Sequence, residues 1–64
     1  MRYTGEPNRI TSFIAVVRKN CVDTKREFTY GRGKNFVDIH APQDALQVAE
    51  RHLKGYVERE CRRF

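Results

Sequence analysis

The word FVDIHAPQDALQVAE, residues 36–50, decides the fold, because its apolar residues change period from two to 3.6 midway. From Phe36 to Ala41 apolar and polar residues alternate, which puts Val37, Ile39 and Ala41 on one face of a strand. Pro42 fits the first position of a helix, where its fixed φ and missing N–H are tolerated, and Asp44 sets a carboxylate near the helix N-terminus. Ala45, Leu46, Val48, Ala49 and Leu53 then form an apolar stripe opposed by Gln43, Gln47, Glu50, Arg51 and Lys54. Gly55 has the placement of a C′ glycine, so the helix is predicted over Pro42 to Lys54.

Downstream, the tail YVERECRRF, residues 56–64, reads as a strand with Val57 and Cys61 inward or as a continued helix. The strand is favoured because Gly55 inside a helix would cost about 1 kcal/mol relative to Ala. Upstream, Gly31-Arg32-Gly33-Lys34 interrupts the pattern as a turn or a bulge, and before it Phe28 and Tyr30 alternate with Glu27 and Thr29 as a half-buried strand. The polar segment 20–25 links this strand to a β-branched run at Phe13–Val17, where Phe13, Ala15 and Val17 share a face of an extended chain. Residues 1–9 carry Gly, Pro and Asn and few apolar groups, and they read as a flexible N-terminal arm. The expected architecture is α+β: a small antiparallel sheet packed on one helix, in the order strand-strand(-strand)-helix-strand, forming a single domain over residues 10–64.

A chain of 64 residues allows one small core, marginal enough that a monomer or weak homodimer is expected. The longest apolar stretch, Phe13 to Val17, is far below the ~20 residues of a membrane span and below the ~7–15 of a secretory signal core, so a soluble, cytoplasmic protein without membrane contact is expected. Charge is uneven. Residues 1–34 hold Arg2, Arg9, Arg18, Lys19, Lys25, Arg26, Arg32 and Lys34 against Glu6, Asp23 and Glu27, which accounts for the whole formal charge of +5. The excess points to an acidic partner, either a protein surface or nucleic acid. The six cations Arg18, Lys19, Lys25, Arg26, Arg32 and Lys34, read as a basic hairpin over residues 18–34, are the candidate partner-binding residues.

No catalytic set, cofactor motif or metal site emerges. Gly31-Arg32-Gly33-Lys34 lacks the Ser or Thr and the first Gly of a nucleotide phosphate loop, although its backbone amides and cations suit looser phosphate contact. Cys21 and Cys61 lie 40 residues apart and, with His40 and His52, show none of the close spacings of zinc ligands. Two free thiols are expected. The word REFTYGR, residues 26–32, interleaves rings with cations as single-strand binders do, but Phe28 and Tyr30 serve a core equally well, and the RNA-recognition motif is absent. The mixed charge of the helix face argues against a major-groove reader.

Taken together, the SFIAVV run, the FVDIHAPQDALQVAE word and the closing YVERECRRF segment resemble the small phage-encoded inhibitors of bacterial RNA polymerase made by lytic T-odd podoviruses. The resemblance covers about residues 12–63 and implies a non-enzymatic regulator that docks on host RNA polymerase, although this chain is basic where that family is acidic. A second resemblance, to the arm-binding domain of tyrosine integrases, places a three-stranded sheet before one helix and implies a DNA-binding module that uses residues 18–34.

Overall fold

The computed structural model describes residues 1–60. Strand β1 (Arg2–Gly5) is followed by helix α1 (Pro7–Asp23), strands β2 (Thr29–Arg32) and β3 (Phe36–His40), helix α2 (Gln43–His52) and strand β4 (Val57–Arg59). The class is α+β and the sheet is antiparallel throughout, in the order β2-β3-β1-β4. From residue 29 onward the strand-strand-helix-strand order matches the sequence reading. This β-α-β-β-α-β order is the split βαβ, or ferredoxin-like, topology.

The N-terminal third departs from the expectation. Residues 2–5 are not a flexible arm but a central strand, with Tyr3 fully buried and Arg2, Tyr3 and Thr4 opposite Asp38, Val37 and Phe36. The Phe13–Val17 run is not a strand but the middle of α1, so the sheet packs on two helices rather than one. Pro7 opens α1, and Glu6 accepts the first helical bond from the Ile10 amide at 2.8 Å. Ile10, Phe13, Ile14, Val17 and Cys21 are buried at spacings of one helical face, whereas Ala15 is exposed. Helix propensity penalises the β-branched residues by well under ~1 kcal/mol each, and burying a large apolar side chain returns about 1.5–3 kcal/mol, so packing decides the conformation.

Helix α1 ends in a Schellman motif, in which the Lys25 amide donates to Val22 O at 3.2 Å and the Arg26 amide to Cys21 O at 2.8 Å. Lys25 takes the left-handed conformation, φ 55°, at the position usually held by glycine. Helix α2 starts one residue after Pro42 and stops at His52; Ala45, Leu46, Ala49 and Leu53 are buried, and Val48 is half-buried. Gly55 at φ 88° turns the chain into β4, where Gly5 and Val57 pair, so the strand alternative holds for the tail as far as Arg59. The inward placement expected of Cys61 lies outside the described residues.

The core gathers on the helix side of the sheet. Tyr3, Val37, Ile39 and Val57 meet α1 and α2 there, and the Tyr3 and Phe13 rings lie 4.4 Å apart. The Tyr3 hydroxyl donates to Glu50 Oε2 at 2.8 Å, and burial, reinforced by that bond, pushes the phenol well above its ordinary pKa. The opposite face is open. There Arg2 donates through Nε and Nη2 to both carboxylate oxygens of Asp38, each at 2.9 Å, and its guanidinium lies 4.6 Å from the centre of the Phe36 ring.

Candidate functional site

Two arginines bridge helix α1 and strand β2. Arg32, at the end of β2, donates through Nη1 to Thr11 Oγ1 at 2.6 Å and through Nη2 to Pro7 O at 3.1 Å in the first turn of α1. Two helical turns on from Thr11, Arg18 donates through Nη2 to the Tyr30 hydroxyl at 3.1 Å. Tyr30 and Arg32 share a face because they are two apart on a strand, and the Tyr30 ring stacks on Phe28 with centroids 5.8 Å apart. Phe28 is half-buried against the core. The four residues of β2 and the Arg18 side are all exposed, so the two guanidiniums border one edge of the molecule.

The basic hairpin expected over residues 18–34 does not exist, because residues 18–23 belong to α1. Its six cations scatter accordingly. Arg18 and Arg32 come together on the β2 edge. Arg26, at one end of that edge, donates to Asp44 Oδ1 at 2.7 Å and ties the α1–β2 loop to the first turn of α2. Lys25 sits in the cap of α1 beside it, and Lys34 lies in the exposed β2–β3 turn. Lys19 is not part of this set; with Val16, Asn20, Asp23, Val48 and His52 it lines a groove between the helices.

The sequence reading missed two further cations that the fold places on rings. Arg2 covers Phe36, and Arg9 covers Tyr56 with 4.1 Å between guanidinium carbon and ring centre. Neither pairing has a local signature, since each partner lies more than thirty residues away. A groove of about 370 Å³ runs beside Phe36 on the open face, floored by Thr4, Gly5, Pro7 and Asn35. Glu6 and Glu60 flank it, which makes it a poor seat for an acidic ligand.

Chemistry-bearing residues stay apart. His40 is exposed at the end of β3, His52 is exposed at the end of α2, and Cys21 is buried in α1. Among the described residues no three or more His, Cys, Asp or Glu side chains converge where they could hold a metal ion, and no helix is long and apolar enough to cross a membrane. No family model, curated protein or solved structure matches the chain. Both resemblances implied a sheet with a single helix, and the integrase-type order of three strands before it is replaced here by β1-α1-β2-β3.

Proposed function

We propose that this chain is a non-enzymatic binding protein whose β2 edge, bordered by Arg18 and Arg32, docks on an acidic surface of another macromolecule, with the bacterial transcription machinery as the leading partner. The observation that carries the reading is the pair of guanidiniums held over one sheet edge by Tyr30, Thr11 and Pro7 O. Each arginine is fixed by neutral groups only, so its charge stays available, and a fork held in place loses less freedom on pairing with a carboxylate than a free one. The choice of RNA polymerase rests on the resemblance in residues 12–63 and places the protein in the cytoplasm of a bacterial host, where it inhibits by occupying a surface.

Affinity purification from bacterial lysate, compared between the native chain and an Arg18→Ala/Arg32→Ala variant, tests this. Recovery of RNA polymerase subunits by the native chain and their loss with the variant is the expected result. Recovery of nucleic acid alone overturns it. Salt separates the two further: a phosphate binder loses affinity with a log–log slope of about −0.9 per phosphate contacted on duplex DNA, and a protein partner gives a shallower dependence.

A further inference from the structure

The β2 edge carries more than charge. Ile39 on β3 exchanges both of its backbone bonds with Met1, donating to Met1 O at 2.8 Å and accepting from the Met1 ammonium at 3.1 Å. An antiparallel strand sends the N–H and C=O of one residue to the same side and alternates sides at the next. Tyr30, opposite Ile39, therefore spends neither group on β3, and Arg32, opposite Val37, has the same parity. The Gly33 amide, which donates to Phe36 O at 2.9 Å, confirms the alternation, because odd-numbered residues of β2 face β3. Tyr30 and Arg32 thus direct two N–H and two C=O groups toward the free side of the sheet. No proline and no bulge breaks the strand there, and its charge, carried by Arg32 with Arg18 beside it, turns away strands that lack carboxylates to meet it.

Resting on the acidic-partner reading, we infer that β2 receives an extended acidic segment of a partner protein as a fifth strand, with carboxylates at alternate positions meeting Arg32 and Arg18. The register dictates the spacing. Side chains of an added strand that lie opposite Tyr30 and Arg32 project to the same, helix-covered side, where both guanidiniums wait, and residues two apart on the added strand match residues two apart on β2. A second copy of the chain fits poorly, because pairing β2 with itself brings Arg18 and Arg32 of both copies to one seam. Nucleic acid has no backbone amides to complete the ladder. An extended peptide satisfies both halves of the site, the main-chain groups supplying affinity and the alternate side chains supplying choice.

The test uses a heptapeptide probe, TVEVEVT, blocked at both ends, and two isomers N-methylated either at both glutamates or at two valines. The amides of the two sets point to opposite edges of an extended peptide, so one isomer loses the bonds to β2 and weakens by about tenfold or more while the other binds nearly as the parent does. In parallel, the amide protons of Tyr30 and Arg32 exchange faster than that of Gly31 in the free protein and slow by about tenfold or more on binding. Equal affinity of the two isomers, binding without added protection at Tyr30 and Arg32, or absence of binding at about 1 mM peptide, the weak end of measurable affinity, overturns strand addition and leaves the acidic-partner reading to the lysate experiment. Preferential binding of duplex DNA with a steep salt slope overturns both.

Discussion

On the covered face of the sheet Tyr3, Val37, Ile39 and Val57 are 5% exposed or less, and one residue along each strand Arg2, Asp38, Phe36 and Glu58 meet the solvent on the open face. The two faces are separated by a single peptide unit yet do different work. The covered face holds the fold through apolar contact. The open face is held mainly by surface charge, since the Arg2 and Asp38 side chains are 37% and 47% exposed and water screens their attraction. Residues of the open face can therefore be changed with little effect on those that hold the core, even where the two are neighbours in sequence.

The largest effect expected comes from the covered side. Phe13→Ala removes a fully buried ring against Tyr3 and should cost about 3–5 kcal/mol, comparable to the whole stability of so small a domain. Urea denaturation followed by circular dichroism measures it, and a near-native midpoint would contradict the packing of α1 on the sheet. Next is a contrast within α2: Leu46→Asp puts a carboxylate at a site only 3% exposed and should unfold the chain, whereas Val48→Asp faces the groove beside Lys19 and should cost roughly 1 kcal/mol. Equal effects at the two positions would break the assigned helix face.

A smaller effect isolates a polar tether of the covered face, the bond from Tyr3 to Glu50. Tyr3→Phe loses the bond to Glu50 and should cost about 1 kcal/mol at neutral pH. Because the phenol pKa is raised in the folded state, the stabilisation is complete below the ordinary tyrosine value, about 10, and is lost as pH rises above it. Stability of the native chain should then fall toward that of the variant by up to about 1.4 kcal/mol per pH unit, and parallel curves from pH 9 to 11, which spans the ordinary tyrosine value of about 10, would show that Tyr3 titrates as an exposed phenol. The smallest effect belongs to the open face. Arg2→Ala should shift the thermal midpoint by less than the equivalent of about 1 kcal/mol, and a larger shift would mean that the Arg2–Phe36 contact, rather than the ion pair, supports β1.

What the sequence revealed of this architecture follows from how local each cause is. In α2 the start, stripe and stop are written within thirteen residues, 42–54, and β3 announces itself by alternation next to it. Helix α1 carries an equally regular spacing, Ile10, Phe13, Ile14, Val17 and Cys21, but residues 13–17 within it also spell a β-branched run, and local propensity points there to a strand where the period points to a helix. Strand β1 has no local cause at all: it is extended because Val37 and Val57, more than thirty residues downstream, flank it. The same distance hid the site. Arg18 and Arg32 look like members of one basic run, and only the folded chain separates them from Lys19 and joins them to Tyr30 and Thr11.

The two glycines around Arg32 illustrate how unequal identical residues become once folded. A side chain at Gly31 would project into open space, while a Cβ at Gly33 would run into the Phe36 ring carbons. A lineage carrying this protein has room for a side chain at residue 31 and none at residue 33, where any replacement displaces the Phe36 ring. Since Phe36 also lies beneath Arg2, a mutation at one tight turn would be transmitted to the bare face of the sheet.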